Sequence, residues 1–568
     1  MTTMQIVGAA SGCDVAWHGI DWADAHQTVR RLQMRIAKAV REGRWSRVKS
    51  LQWLLTHSFY GKALAVKRVT ENQGKKTPGV DGETWSTPES KAEAVLSLKR
   101  KGYQPKPLSR VFIPKANGKM RPLGIPTMKD RAMQALHLLA LEPVSESTAD
   151  PNSYGFRPER ASRDAALQCY MALAKTRSAQ WVLDADITGC FDNISHDWLL
   201  ANIPMDKAML RKWLKSGFVW KGQMFPTEAG TPQGGIISPT LANMTLDGIE
   251  RILRERFGIP ETREAWKNKV HLIRYADDFV VTGATRETLD EAKQMIVEFL
   301  AVRGLTLSPE KTKVVHIEEG FDFLGWNVRK YDGKFLIKPA KKNVQAFLRK
   351  VRGTINEAKT AKQETVIAKL NPVIRGWANY HRNQVATDAF NRVDSLIWRW
   401  LWRWSCRRHP NKRSDWIKDR YFIREGLRDW VFSTTVVDED GGERKVTLAK
   451  AADTSIKRYT KIKGEAHPYD PAWEQYFEDR LGLSMKDSFR GRGKLLHLWY
   501  AQEGACPVCH ERITKETGWH VHHVLPRAQG GTDAMRNLVL LHPNCHRQVH
   551  SRGCSELPAP VTRSFVEA

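Results

Sequence analysis

Asp277 and Asp278 stand side by side in "LIRYADDFVVTG" (272–283), between two apolar, β-branched runs. Neighbouring carboxylates in a half-apolar setting repel each other and lose hydration, and a bound divalent cation offsets that cost. A second acidic pair, Asp184 and Asp186, lies in "WVLDADITGCFDNISHDWLL" (181–200). Hard oxygen ligands of this kind suit Mg²⁺, which keeps several waters and borrows phosphate oxygens from a substrate. Two such ions about 3.5–4 Å apart clamp the attacking and leaving oxygens of an in-line phosphoryl transfer. A different chemistry gathers in "CPVCHERITKETGWHVHHVLPRAQGGTDAMRNLVLLHPNCHRQVH" (506–550). Cys506 and Cys509 form a C-x₂-C knuckle suited to tetrahedral zinc, and His546 and His550, four apart, face one way on a helix.

These side chains meet only if particular elements hold them. "HLIRY" and "FVV" read as a hairpin with the acids at its tip, and "WVLDADI" as a strand with Asp184 and Asp186 on one face. If that strand lies beside the hairpin, three carboxylates converge. From Arg110 to about 335, short apolar strands alternate with helical stretches and Gly/Pro turns, a mixed α+β pattern. Before it, residues 1 to about 70 have helical apolar spacing. After it, Val344, Phe347, Leu348, Val351 and Ile355 form one helical stripe, and Ile367, Leu370, Ile374 and Trp377 another. In "FNRVDSLIWRWLWRWSCRRHPNKRSDW" (390–416), Phe390, Val393, Ile397, Trp400, Leu401 and Trp404 form a broad helical face. Arg399, Arg403 and Arg407 recur at i, i+4, i+8 on another face. Four alternating tryptophans would also fit a strand, but the helical spacing begins upstream. The tryptophans read as core and the arginines as contacts for an RNA backbone. "VDEDGGER" (437–444) is a polar turn, and Trp430, Tyr459, Trp473 and Tyr476 among basic residues point to a DNA-binding linker or a plain connector.

The chain has 568 residues, enough for several domains, and a formal charge of +28, which calls for a polyanionic partner. Its apolar runs are too short to cross a bilayer, and the N-terminus has neither signal-peptide nor transit-peptide character. A cytoplasmic protein without a membrane partner is expected. Of eight cysteines, Cys13, Cys169, Cys190 and Cys406 are scattered, whereas Cys506, Cys509, Cys545 and Cys554 crowd the C-terminal module.

The segment from roughly 70 to 335 resembles the reverse transcriptases encoded by group II introns. The matching blocks occur in family order: "TPGVDG", "VFIPKANGKMRPLGIPTMKDRAMQ", "NSYGFRPERASRDA", "DADITGCFDNISHDWL", "GTPQGGIISPTLANMTLD", "RYADDFVV", "GLTLSPEKTKVVHI" and "FDFLGWNV". The resemblance implies Asp186, Asp277 and Asp278 as the Mg²⁺ carboxylates; Asp186 is preferred to Asp184 because the family places an aromatic five residues on, here Phe191. Phe191 would sit under the sugar and select deoxynucleoside triphosphates. Lys115 and Arg121 would neutralise the triphosphate, Gln233 would line the nucleotide pocket, Gly234 and Gly235 would admit the template, and Lys311 would contact a phosphate. Asp184 and Asp192 read as structural. The stretch containing "IRGWANYHR" (374–382) resembles the thumb, or X domain, of maturases, which bind their intron RNA. Arg375, Arg382, Arg399 and Arg403 are its RNA-binding candidates.

The C-terminal module resembles the HNH endonucleases, a ββα-metal fold. The resemblance implies His522, His546 and His550 as ligands of a catalytic Mg²⁺ or Mn²⁺, with His523 as general base. Asn537 would orient His523 through its amide, and the Gly530–Gly531 turn would join the strands. It also implies a structural Zn²⁺ on Cys506, Cys509, His542 and Cys545, with Cys554 as another fourth ligand.

The expected architecture is multidomain α+β: a helical extension (1–69), right-hand fingers and palm (70–335), a helical thumb or maturase X domain (336–430), a DNA-binding or linker region (431–494), an HNH module with zinc (495–554) and a tail (555–568). The expected function is that of an RNA-directed DNA polymerase of a mobile intron. It would assist splicing, nick target DNA and prime reverse transcription there, in a bacterial cytoplasm, on the nucleoid as a ribonucleoprotein. A splicing-only RNA binder and a polymerase of another reverse-transcriptase lineage are the other classes; the intact acidic and histidine sites and the thumb and HNH segments argue against them.

Overall fold

Burial of helical apolar stripes organises the N-terminal third of the computed structural model, which describes residues 16–552 apart from 115–117, 119, 438–441, 490–492, 526–531 and 533. Helix Trp22–Arg41 starts where the Asp21 carboxylate accepts the Asp24 N–H, and it buries Trp22, Ala25, Val29, Ile36 and Val40 at helical spacing. It packs with helices Trp45–His57 and Phe59–Glu71 against Met128–Thr148, a helix buried on most of its surface. The segment that reads from sequence as an extension thus shares one apolar core with the palm.

The palm is a four-stranded antiparallel sheet in the order His271–Tyr275, Asp278–Gly283, Trp181–Asp186, Lys313–His316. Val182, Leu183, Ala185, Phe279, Val280 and Val281 are buried, so the central strands are fixed by apolar contacts on both faces. The fingers sheet runs Met120–Ile125, Leu108–Pro114, Phe218–Trp220, Gln223–Phe225. A third sheet, Lys334–Pro339, Trp326–Tyr331, Phe321–Phe323, leads to the thumb.

The thumb has its own core, formed by helices Lys341–Glu357, Gln363–His381 and Thr387–Arg408 with strands Phe422–Glu425, Arg428–Val437 and Glu443–Thr447. Both predicted helical stripes are on buried faces, and the tryptophan run is helical. The expected boundaries at 335 and 430 fall inside strands; the thumb core continues to Ala451 because Phe432 and Ala451 pack into it. Of the predicted polar turn at 437–444, residues 438–441 lie outside the described residues.

From Ala451 the chain returns across the palm as a strap. Asp164 accepts the Tyr459 O–H at 2.9 Å and the Ile462 N–H at 2.8 Å, and Arg160 donates to the Gly464 and Ala466 carbonyls at 2.6 and 3.2 Å. Trp430 packs on Trp398, Trp402 and Phe422, and Trp473 on Tyr476. The aromatics that point to a DNA-binding linker in the sequence are therefore engaged in holding the fold together. The C-terminal module pairs strands His520–His523 and Leu538–Leu541 under helix Pro543–Arg552. That helix rests on the N-terminal segment, where the buried Gln548 amide donates to the His18 and Ile20 carbonyls at 2.9 and 3.1 Å. Residues 1–15 and 553–568, with Cys13 and Cys554, lie outside the described residues.

Inside the palm, Arg157 and Glu146 form an ion pair at 2.9 Å with side chains only 3% exposed each. Removing one partner of such a pair strands the other charge out of water. Glu146→Ala should therefore cost about 3–5 kcal/mol of stability, read as a fall in the urea midpoint, and Glu146→Gln should cost less because it still accepts the guanidinium hydrogen bonds.

Candidate functional sites

The palm register brings the predicted acids together: Asp186 pairs directly with Asp278, and Asp277 occupies the two-residue turn between Tyr275 and Asp278. Asp184, two residues along the same strand, pairs with Val280 on one side and Lys313 on the other. Burial, then Asp184, Asp186 and Asp277, pushes Asp278 up to about 7. Burial, then Asp322 and Asp186, pushes Asp184 up to about 6. Asp277 is also raised, by burial and then Asp186, against the opposing charges of Arg121 and Lys311. Carboxylates that resist ionisation because of burial and then each other's charge form a site that a cation would relieve.

Two of the three predicted cations, Lys311 and Arg121, lie where that charge is. Lys311 donates to Asp186 Oδ2 at 2.5 Å, and the hydrogen bond raises its own pKa. It reaches Asp186 because the Ser308 N–H donates to the Asp186 carbonyl at 2.8 Å, tying the "SPEKTK" turn to the strand end. Arg121 is exposed on its fingers strand, opposite Ile113 and within electrostatic reach of Asp277. Lys115 lies outside the described residues. Phe191 is half-buried, edge-on to Phe156 at 6.1 Å. Phe156, 53% exposed with φ 58°, is an aromatic neighbour of Phe191 that sequence reasoning missed. The Gln233 amide donates to Asp192 Oδ2 at 3.3 Å, so Asp192 has a partner outside its own turn. Gly234 has φ 122°, and a Cβ there would meet the Gly124 carbonyl at 2.6 Å; the close approach this glycine permits is to the fingers strand.

The turn carrying Asp277 rests on residues that motif reading passes over. Arg274 is fully buried, paired with Asp247, and donates to Asn243 Oδ1 at 3.1 Å and to the Ala276 carbonyl at 3.3 Å. A Cβ on Gly155 would lie 2.4 Å from the Ala276 nitrogen, so only glycine lets that segment back the turn. Two buried charges and a steric contact leave no periodic signal in a sequence.

In the C-terminal module, the nitrogen ligand atoms of His522, His546 and His550 lie within 4.8 Å of one another, as do the ligand atoms of buried Cys506, Cys509, His542 and Cys545. Burial and the neighbouring histidines hold His546 near 4, so it offers a neutral imidazole. His520, 5.1 Å ring to ring from His546, is a fourth histidine that the motif does not announce. His523 is half-buried at the end of its strand, paired with Leu538. Asn537 holds the loop that follows the strand: its amide donates to the Leu525 and Thr532 carbonyls at 3.0 and 2.8 Å and accepts the Leu525 N–H at 2.7 Å. Both amide hydrogens go to backbone carbonyls, so Asn537 braces the loop after His523. The Gly530–Gly531 turn lies outside the described residues.

The sulfur cluster fits zinc by its donor chemistry. Hydrogen bonds from Cys509 and Cys545 lower the Cys506 pKa, favouring a thiolate. Burial opposes a charged His542, but its hydrogen bonds to Cys506 and Cys509 prevail and push it up to about 10. Its Nε2 faces the Arg512 carbonyl at 3.2 Å while Nδ1 meets Cys509 Sγ at 3.2 Å, leaving Nδ1 as the ligand atom.

In the thumb, Arg375, Arg399 and Arg403 are exposed. Arg382 is half-buried, and its carbonyl accepts the Lys457 N–H of the strap at 2.9 Å. Among the described residues no helix is long and apolar enough to cross a membrane.

The paired acids with Arg121 and Lys311, and the separate histidine cluster, fit a nucleic-acid polymerase joined to a nuclease, and four family models match that class. Residues 17–98 match the N-terminal domain of reverse transcriptase, and 113–328 the reverse transcriptase (RNA-dependent DNA polymerase). Residues 344–422 match the group II intron maturase-specific domain, and 506–552 the HNH endonuclease. Protein YkfC of Escherichia coli K12 is 34% identical over 318 residues, covering 49% of this chain and 82% of its own. Group II intron-encoded protein LtrA of Lactococcus lactis is 30% identical over 344 residues, 49% of this chain and 56% of LtrA. An uncharacterized 91 kDa protein in the cob intron of Schizosaccharomyces pombe is 24% identical over 86% of this chain and 68% of that one. Among solved structures, apo telomerase of Candida tropicalis aligns with a TM-score of 0.31 and 15% identity over 39% of this chain and 53% of its own, too slight a likeness to argue from. The chain belongs to the group II intron-encoded proteins: it is a reverse transcriptase and maturase with a C-terminal HNH endonuclease.

The palm acids make a pH prediction. Below about pH 4 both folded and unfolded chains hold these protons; above it the unfolded chain releases them while Asp184 and Asp278, at about 6 and 7, retain theirs. Without divalent cation this site should therefore lose stability as pH rises through about 7. Mg²⁺ should raise the Tm more above that pH than below it, and Asp278→Asn should flatten both responses in thermal-shift titrations. A Mg²⁺ effect equal at both ends of the range would contradict this reading.

Proposed function

We propose that the palm polymerises deoxynucleotides on an RNA template through Asp186, Asp277 and Asp278, and that the HNH module nicks target DNA to supply the primer. The observation that carries this is the direct Asp186–Asp278 pairing with Asp277 in the adjoining turn. Those carboxylates are the residues that would hold Mg²⁺. The ions would supply the charge that stabilises attacking and leaving oxygens. The chain's own groups then divide the remaining work. Lys311, hydrogen-bonded to Asp186, presents an ammonium to the phosphates, and Arg121 adds a guanidinium from the fingers side. Phe191, edge-on to Phe156, would sit under the sugar and exclude a 2′-hydroxyl. Gln233, held by Asp192, would orient the incoming base.

In the HNH module His522, His546 and His550 would hold Mg²⁺ or Mn²⁺, which would stabilise charge on the phosphodiester. His523 accepts the proton of the attacking water, and Asn537 keeps the loop behind it in place. Zn²⁺ on Cys506, Cys509, His542 and Cys545 would brace the module. The exposed thumb arginines Arg375, Arg399 and Arg403 would bind the intron RNA. This reading retains the expected domain limits except at 335 and 430, and it places the ribonucleoprotein in a bacterial cytoplasm, on the nucleoid.

The two active sites should separate cleanly. Asp277→Ala should abolish primer extension on RNA while leaving DNA nicking intact. His523→Ala should slow nicking by about a hundred- to ten-thousandfold with extension unchanged. Loss of both activities in either variant would contradict two independent sites. Cys509→Ser should lower bound zinc by one equivalent per chain, measured by elemental analysis.

A further inference from the structure

The thumb contains an unpaired cationic notch of about 80 Å³ between helices Lys341–Glu357 and Thr387–Arg408. Arg352 and Asn356 line it from the first helix, and Trp400, Arg403 and Arg407 from the second; no acidic side chain lines it. Ile355 and Trp404 are buried at its base, where the Trp404 indole N–H donates to the Ala358 carbonyl at 2.9 Å. Arg352, Arg403 and Arg407 are exposed and, among the described residues, form no hydrogen bond, ion pair or ring contact. Among the same residues Trp400 packs against the thumb core but makes no aromatic ring pair, unlike Trp398, Trp402 and Trp404, and no hydrogen bond through its indole N–H, unlike Trp404. The neighbouring Arg408 marks the contrast: it donates to the Lys359 and Ala361 carbonyls at 2.8 and 3.1 Å and covers the Trp404 ring. One arginine of the run serves the fold, and the notch arginines do not.

Like charges one helical turn apart repel, and a third cation facing them from another helix adds to the cost. Guanidinium forks and an indole N–H converging on a small cavity match the oxygens of a phosphodiester. We propose that this notch seats one backbone phosphate of the folded intron RNA, with Arg352, Arg403 and Arg407 as its ligands and Trp400 as a further donor. Asn356, which also lines the notch, would accept from a ribose 2′-hydroxyl, which DNA lacks. The proposal rests on the reading of the thumb as RNA-binding and narrows it to a site built from two helices.

The test uses the full chain and, as probe, the transcript of the DNA flanking the reading frame. Double substitution R403Q/R407Q should weaken filter binding at least about tenfold and reduce the slope of log K against log salt by about one for each phosphate no longer neutralised. R352Q, from the other helix, should reproduce part of the effect. W400F should weaken binding by a few-fold at an unchanged salt slope. Unchanged circular dichroism and Tm would show that the fold is intact. Processivity on poly(rA)·oligo(dT) in the presence of a trap should stay at the wild-type level. Loss of processivity with intact transcript binding would overturn the assignment in favour of the template–primer duplex. Wild-type binding by all variants would overturn the notch and leave the RNA-binding thumb standing. Failure of the unsubstituted protein to bind the transcript would overturn the thumb reading and the notch with it.

Discussion

Burial of carboxylates that also repel one another on paired strands is the constraint around which the palm is built. Asp186 and Asp278 are held opposite each other by backbone hydrogen bonds, with buried Val182, Leu183, Val280 and Val281 behind them. The strands cannot slip to relieve the charge, because a shift of one residue would exchange the side chains that fill the two apolar cores on either side of the sheet. The surrounding structure answers the cost in two ways. Lys311 and Arg121 bring positive charge from separate elements, and the buried Arg274–Asp247 pair with Gly155 stops the turn from moving away. A site that is unfavourable by itself and rigidly held is prepared for cations and phosphates.

The second theme is economy of scaffolding. The N-terminal helices, the palm and the C-terminal module contribute to one apolar core, whereas the thumb keeps a core of its own. Gln548 ties the helix bearing His546 and His550 to the turn at His18 and Ile20, and the strap from Ala451 crosses the palm on Asp164 and Arg160. The nuclease is thereby docked on the reverse transcriptase through defined hydrogen bonds. The Arg512–Glu478 and Arg30–Glu474 pairs add exposed electrostatic contacts at the same junction, each of modest worth in water.

Much of this is legible in the sequence because the chemistry is local or periodic. The Asp pairs, the helical stripes and the Cys/His spacing each carry a repeat of two, three or four residues, and each appears where that repeat puts it. What escapes depends on contacts between distant segments. Arg274 and Asp247 are ordinary charges until a fold buries them together, and Gly155 is an ordinary turn glycine until Ala276 lies against it. Family spacing points to Asn537 beside His523, but its bonds to the Leu525 and Thr532 carbonyls, which brace the loop, have no signal in the sequence. Tyr459, Trp473 and Tyr476 look available for bases when only their neighbours in sequence are considered; Asp164 and neighbouring rings claim them instead.

The central claim is that acids distant in sequence share a divalent cation. Affinity cleavage measures this directly: Fe²⁺ bound in place of Mg²⁺ generates hydroxyl radicals that cut the nearest backbone. The account predicts cuts near Asp186 and near Asp277 in the same protein, both suppressed by Mg²⁺ and both abolished in Asp186→Asn. Cuts at only one of the two stretches, or cuts at both that survive removal of the Asp186 carboxylate, would contradict it.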